Sequence, residues 1–100
     1  MPDYYDRSGN NISEEEWQRR YENSLYRLVD STEVGDYLVS TVWLGLNHNW
    51  NPDGPPLVYE TMVFGGSTEP QYRWTTEEEA KKNHRSIVAQ LKEHLRKDTA

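Results

Sequence analysis

The run YLVSTVWLGL occupies residues 37–46 and combines β-branched, aromatic and aliphatic side chains. These residue types fit a pleated, half-buried surface, so the run predicts a β-strand. Strand alternation puts Leu38 and Val42 on one face and Trp43 on the other. Because both faces carry large apolar groups, we expect a central strand with cover on each side.

Two further strands are predicted after this one. Residues 57–64 (LVYETMVF) alternate in the same way, and residues 71–74 (QYRW) form a short third strand. Short loops between consecutive strands favour an antiparallel meander. The first connection, residues 47–56 (NHNWNPDGPP), is rich in turn residues and long for a hairpin. Long loops in small domains often carry function.

Amphipathic helices are predicted before and after the strands. Ser13 and Glu16 have the spacing of a capping box, which starts a first helix over residues 14–29. The apolar stripe of this helix consists of Trp17, Tyr21, Leu25, Leu28 and Val29. A second helix starts at Thr75 or Thr76, because each has a glutamate three residues on. The apolar stripe of the second helix consists of Ala80, His84, Ile87, Val88, Leu91 and Leu95.

These elements predict an α+β fold in the order α-β-β-β-α. We expect a three-stranded antiparallel sheet with the two helices side by side on one face, because a sheet this small needs a covered face. Residues 1–11 are predicted as a flexible N-terminal arm and residues 12–97 as a single α+β domain. The uncovered face would expose the rings of Tyr37, Trp43, Tyr59 and Trp74. Such a patch predicts an interface with another protein or with a second copy in a homodimer.

The charge distribution restricts the classes of partner. The chain has 100 residues and a formal charge of -6, and residues 31–75 contain one basic and five acidic side chains. This composition disfavours duplex nucleic acid and anionic membranes and favours a basic protein surface. Without cysteine, neither a disulfide nor a thiolate metal site can form. The N-terminus lacks the features of a secretory signal, and no apolar run approaches the ~20 residues of a bilayer span.

Polar side chains in unusual positions are the candidates for chemistry. His48 and Trp50 lie in the long loop, where an imidazole can contact a ligand and an indole can stack on a nucleotide base. Glu60 lies among apolar strand residues, so its charge must be paired or its pKa raised, and Arg73 is the candidate partner. His84 belongs to the apolar stripe of the second helix, where a packed, hydrogen-bonded histidine is commoner than a ligand.

A metal site is the alternative reading of the same residues. His48, Glu60 and His84 could supply the two histidines and one carboxylate that some metal ions require. No local spacing of the H-x-x-x-H kind supports such a site, and no motif for a nucleophile or a phosphate loop occurs. The sequence therefore predicts no catalytic residues, no bound metal and no cofactor.

A longer pattern runs through the middle of the chain. The segments that carry it are TEVG (32–35), STVWLGLNHN (40–49), GPP (54–56), YETMVFGG (59–66), RWTT (73–76), the glutamate run EEE (77–79), Ala80 and His84. This pattern, spread over roughly residues 12–88, resembles a family of small bacteriophage proteins that is common in phages of actinobacteria. The family pattern usually has aspartate before the loop histidine, where this chain has Asn47. The resemblance implies phage origin and brings no established activity with it.

The leading hypothesis is a small, non-catalytic phage accessory protein that binds a basic host protein in the host cytoplasm. A counter-defence inhibitor of the anti-CRISPR kind would fit this description. The alternatives are a small-ligand or nucleotide-binding module that uses the His48–Trp50 loop, and a small metal-dependent enzyme. The candidate ligand- or partner-binding residues are His48, Trp50, Trp43, Tyr59, Glu60 and His84.

Overall fold

A computed structural model describes residues 3–51 and 53–98 of the chain. Within these residues the elements are β1 (Tyr4–Tyr5), β2 (Asn11–Ile12), α1 (Glu14–Tyr21), α2 (Ser24–Arg27), β3 (Leu28–Val34), β4 (Tyr37–Trp43), β5 (Tyr59–Phe64), β6 (Gln71–Trp74) and α3 (Glu77–Asp98). The last four strands form one antiparallel sheet in the order β3-β4-β5-β6, and β1 pairs with β2 in a separate small sheet. The prediction of a single three-stranded sheet with two helices is therefore wrong.

The additional strand β3 arises where the sequence predicted the end of the first helix. Helix α1 stops at Tyr21, and the side chain of Asn23 then caps the short α2 by accepting hydrogen bonds from two backbone amides. From Leu28 onward the chain is extended and pairs with β4 across a turn at Gly35, whose φ of 59° suits glycine. The β-branched residues of this segment favour the strand once β4 offers an edge.

The described part of the predicted flexible arm is a docked hairpin. The amide of Tyr5 donates to the carbonyl of Gly45 at 2.8 Å, and the amide of Asn47 donates to the carbonyl of Asp3 at 3.1 Å. The indole of Trp43 donates to the carbonyl of Tyr5 at 2.9 Å. The hairpin thus continues the backbone pairing beyond the end of β4 and covers part of the sheet.

Both predicted helix starts are confirmed by their caps. The hydroxyl of Ser13 accepts from the amide of Glu16 at 3.1 Å at the start of α1. At the start of α3, the hydroxyl of Thr76 accepts from the amide of Glu79 at 3.1 Å. The carboxylate of Glu79 in turn accepts from the amide of Thr75 at 3.0 Å. One glutamate therefore satisfies groups from both of the competing capping registers.

The core lies on the face of the sheet that carries the odd-numbered residues of β4 and β5. One cluster of buried side chains consists of Val34, Val39, Val63 and Val88, under α3. A second consists of Trp43, Val58, Tyr59 and Ala80, with Trp17 of α1 and Tyr26 of α2 packed against it. All three helices therefore contribute side chains to the same side of the four-stranded sheet.

The other side of the sheet has no helix on it among the described residues, and we call it the open face. The sequence analysis predicted that the face with Trp43 and Tyr59 would be exposed, but the structure exposes this one. It carries Leu28, Ser31 and Glu33 from β3, Leu38, Ser40 and Val42 from β4, Glu60, Met62 and Phe64 from β5, and Gln71 and Arg73 from β6. Trp43 and Tyr59 are enclosed, with 0% and 1% of their surface exposed, and Tyr37 and Trp74 are half-buried. The predicted exposed-ring face is therefore wrong, because the N-terminal hairpin and α1 cover it.

Candidate functional site

The structure separates the residues that the sequence grouped as a candidate site. Glu60 lies on the open face and His84 lies on the core side, so the sheet stands between them. His48 is in the loop after β4, and Trp50 is 95% exposed. Among residues 3–51 and 53–98, no three metal-ligating side chains of the His, Cys, Asp or Glu type come together. The structure therefore does not assemble the two-histidine, one-carboxylate site.

Trp43 and Tyr59 are buried in the core and do not form a docking surface. The ring of Trp43 meets the ring of Tyr26 edge-on, with 4.9 Å between their centroids. The phenol of Tyr59 donates to the backbone carbonyl of Arg7 at 2.7 Å. Burial raises the pKa of the Tyr59 phenol, so this donor is retained throughout the ordinary pH range.

The open face combines an apolar surface with a few charges. Leu38 pairs with Phe64 across the sheet, and the neighbouring positions carry Val42 and Met62. These four side chains are half-buried and belong to neither described core cluster, because the helices pack on the other side. Leu28, at the edge of the same face, is 43% exposed.

Glu60 and Arg73 form a cross-strand ion pair on the open face. The guanidinium Nε of Arg73 lies 3.3 Å from Oε2 of Glu60, which confirms the predicted partner. His48 lies close to this pair. Burial lowers the pKa of the His48 imidazole, the charge of Arg73 lowers it further, and the charge of Glu60 opposes the change. The imidazole is therefore neutral at physiological pH and can donate or accept one hydrogen bond.

Asparagine side chains shape the loop that carries Trp50. The side-chain oxygen of Asn47 accepts from the amides of Asn49 and Leu57, at 2.8 and 3.0 Å. The side-chain oxygens of Asn49 and Asn51 each accept from the amide two residues further on. These local turns fix the backbone on either side of Trp50. The loop therefore presents a fully exposed indole from a braced backbone.

A chain of buried hydrogen bonds crosses the core side of the sheet. The indole of Trp74 donates to Thr61 Oγ1 at 2.9 Å, and Thr61 Oγ1 lies 2.6 Å from Thr41 Oγ1. Thr41 Oγ1 lies 2.7 Å from His84 Nδ1, and His84 Nε2 lies 2.9 Å from Thr32 Oγ1. The chain therefore takes one residue from each of the four strands and one from α3, and we call it the threonine–histidine network.

The network fixes the position of the proton on His84. Thr61 is fully buried and has no described partner besides Trp74 and Thr41, so its hydroxyl proton must go to Thr41. Thr41 then donates to His84 Nδ1, which must be unprotonated. The remaining proton sits on Nε2 and points to Thr32 and to Asp30 Oδ2, which is 3.5 Å away. Protonating Nδ1 would reverse these donors and strand the Thr61 proton in the core.

Asp30, His84 and Thr41 resemble a catalytic triad, but the hydroxyl that would act as the nucleophile is enclosed. Thr41 has none of its surface exposed, so no substrate can reach its hydroxyl. Asp30 and Thr41 do lie at opposite ring nitrogens, Nε2 and Nδ1, as the carboxylate and the nucleophile of a triad do, so the burial of Thr41 is what excludes catalysis. The arrangement therefore acts as a structural network, as the interpretation of His84 as a packed, hydrogen-bonded core residue predicts.

We expect the free energy of unfolding to decrease as the pH falls below about 6.5, the ordinary pKa of histidine. Burial lowers the pKa of His84, the charge of Asp30 opposes this shift, and the charge of Arg85 adds to it. In the unfolded chain His84 regains its ordinary pKa of about 6.5, so the unfolded state binds the proton first. The contribution of neutral His84 to stability is complete above about pH 6.5 and is lost as the pH falls through the pKa of His84 in the folded state. It amounts to about 1.4 kcal/mol for each unit by which the two pKa values differ.

Urea unfolding curves measured across this pH range test the prediction. A His84→Gln variant should be less stable overall but should show a flatter pH dependence. A His48→Gln variant is the control. The pKa of His48 is also lowered, so this variant should remove only the contribution of His48 to the pH dependence. An unchanged slope in His84→Gln would show that His84 does not control the transition.

The sequence missed the polar part of the core. Thr41 and Thr61 stand at equivalent positions of two apolar strands, each on the same side as a buried aromatic residue. Two threonines on the core side of neighbouring strands, together with a histidine in the apolar stripe of α3, indicate a hydrogen-bonded core. Asp30 and Thr32 carried no such signal, because the sequence assigned them to the end of a helix.

No protein-family model, curated protein or solved structure matches this chain. No helix in the described part of the chain has the length and apolar character required to cross a membrane.

Proposed function

We propose that this chain is a non-catalytic binding protein whose open face docks a basic amphipathic helix of a partner protein. The observation that carries this proposal is the uncovered apolar surface formed by Leu38, Val42, Met62 and Phe64. In most folds helices or a second sheet cover such an apolar face, so an apolar face without cover indicates an interface.

The dimensions of the open face suit a helix. Strands are spaced by ~4.8 Å and rise by ~3.3 Å per residue, so four strands and the length of β4 give a face roughly 14 Å by 23 Å. A helix with its side chains is ~10 Å wide, and roughly four of its turns would span this length. Leu38 and Phe64 at one end and Val42 and Leu28 at the other would line its path.

The charges around the open face favour a basic partner. Glu33 lies on the face, and Asp36 and Glu69 lie in the adjoining connections, at the end where Leu38 pairs with Phe64. In the described ranges no cation pairs with these three carboxylates, and the only arginine of the face is engaged by Glu60. Carboxylates without counter-ions beside an apolar surface attract basic side chains at the rim of a docked helix.

The resemblance to bacteriophage proteins supports a host protein as the source of that helix. A small acidic protein that covers a basic surface can block whatever that surface normally binds. We therefore propose that the protein inhibits a host defence protein. The open face is the proposed docking surface, because the rings of Trp43 and Tyr59 are enclosed.

Two synthetic helical peptides with the same leucine face, one lysine-rich and one glutamate-rich, provide a defined test. We expect the basic peptide to bind and the acidic one to fail, in calorimetric or fluorescence titrations at physiological salt. Phe64→Lys should weaken binding of the basic peptide at least tenfold, because it places a cation among the apolar side chains that would contact the helix. Nuclear magnetic resonance shifts on binding should map to β4 and β5.

Leu25→Lys is the matched control. Leu25 is 83% exposed on α2, away from the open face, and this variant changes the net charge by the same amount as Phe64→Lys. Binding to Leu25→Lys should therefore show only the small loss expected from general electrostatics. Equal losses for the two variants, or equal binding of the two peptides, would refute docking at the open face.

The ligand-module alternative keeps one observation in its favour. Trp50 is 95% exposed on a loop whose backbone is braced by asparagine side chains, and such a ring can stack on a base. In the same titrations, competition by adenosine monophosphate that disappears in Trp50→Ala would support this alternative. A peptide affinity that is unchanged in Trp50→Ala would show that the open face acts without the loop.

A further inference from the structure

We propose that a cleft between β3 and α3 binds a small zwitterion that carries one ammonium and one carboxylate group, of the size of an amino acid. The cleft lies at the outer edge of the sheet on the core side, where the threonine–histidine network ends. It is separate from the open face, so its function does not depend on the docking proposal above.

The cleft has defined walls and a small volume. Its lining residues are Asp30, Thr32, His84, Arg85, Val88, Ala89 and Lys92. Its volume is about 210 Å³, equivalent to roughly seven waters in the liquid and below the usual ~300–1,000 Å³ of drug-sized sites. Val88 and Ala89 form an apolar strip that suits a short aliphatic chain between two charged ends.

Hydrogen-bonding groups at the floor of the cleft are already oriented. Nε2 of His84 carries a proton because the buried network requires its other nitrogen to accept from Thr41. This N–H is directed at Thr32 Oγ1, so the hydroxyl proton of Thr32 remains available to a ligand oxygen. The floor of the cleft therefore offers the Thr32 hydroxyl as a donor to a ligand.

Charges of both signs border the cleft. Asp30 contributes a carboxylate that is 44% exposed, and Arg85 and Lys92 contribute cations from positions two turns apart on α3. The ion pairs of the described residues include neither Arg85 nor Lys92. A ligand with only a carboxylate leaves Asp30 without a partner, and a ligand with only an amine leaves the two cations without one. A zwitterion satisfies both signs at once.

Three probes of the same chain length separate these cases: 4-aminobutyrate, butyrate and butylamine. The imidazole nitrogen signals of His84 in nitrogen-15-labelled protein provide a reporter at the floor of the cleft. At neutral pH we expect 4-aminobutyrate to shift the His84 signals in a saturable way, and each single-charge probe to bind at least tenfold more weakly. Equal binding of butyrate or butylamine, or the absence of any saturable shift, would overturn the proposal.

Variants of the lining residues test the assignment of the two charged ends. Asp30→Asn should weaken binding of 4-aminobutyrate at least tenfold. In this variant the affinities of butyrate and 4-aminobutyrate should become more similar. Arg85→Gln should also weaken 4-aminobutyrate but should favour butylamine. Lys82→Gln removes an exposed cation of α3 outside the cleft and should leave all three affinities unchanged. An equal loss in Lys82→Gln would attribute the binding to overall charge and refute the cleft.

Discussion

Replacing Trp43 with alanine is expected to destabilise the protein by about 3–5 kcal/mol, the usual range for removal of a buried tryptophan. The side chain is fully enclosed, packs edge-on against Tyr26 and donates to the carbonyl of Tyr5. Its loss leaves a large cavity and an unpaired carbonyl in the second core cluster. Because small domains have a total stability of about 5–15 kcal/mol, urea unfolding should show a much earlier midpoint.

Trp50→Ala is the natural comparison for this variant. The two tryptophans are seven positions apart in the chain, but Trp50 is 95% exposed. Its removal should change the free energy of unfolding by no more than about 0.5 kcal/mol, as for most exposed positions. Similar losses in the two variants would show that Trp43 is not the enclosed centre of the core.

Replacing Thr41 with valine is expected to cost about 2–6 kcal/mol, although the two side chains have nearly the same shape. The change removes the acceptor of the Thr61 proton and the donor to His84 Nδ1. Both remaining groups are buried, and each unsatisfied group costs about 1–3 kcal/mol. Chemical denaturation measures the loss, and the ring nitrogen signals of His84 should show that the Nδ1 hydrogen bond is gone.

Thr32→Val is the control at the solvent end of the same network. Thr32 is only half-buried and lines the cleft, so water can replace its hydroxyl beside His84 Nε2. We expect a loss below about 1 kcal/mol. The interpretation fails if Thr32→Val costs as much as Thr41→Val, or if Thr41→Val is neutral.

Local signals in the sequence predicted the starts of helices and three of the strands. The caps at Ser13 and Thr76 depend on side chains within three positions of each other, so they can be read without knowledge of the rest of the fold. The same local reasoning extended the first helix too far. Leu25 and Leu28 continue the helical spacing, but Asn23 interrupts the helix and β4 recruits the following residues as β3.

The covered side of the sheet could not be read from alternation alone. Strand alternation correctly put Val42 and Trp43 on opposite faces, but it does not say which face the helices cover. The answer depends on the N-terminal hairpin, whose contacts with Gly45 and Trp43 join residues about 40 positions apart. For the same reason the sequence named His84 but not the cleft, because Asp30 becomes a neighbour of His84 only when β3 pairs with β4.

The N-terminal hairpin implies an order of events during synthesis. Its partners are Gly45, Trp43 and Tyr59, and Arg7 also pairs with Glu77, which is 70 positions later in the chain. The hairpin is synthesised before these partners, so its native contacts form only after the later segments have been made. Until the start of α3 has been made, Arg7 lacks its partner Glu77 and Trp43 lacks the neighbouring Ala80, and the nascent chain is exposed to chaperones and proteases during that interval.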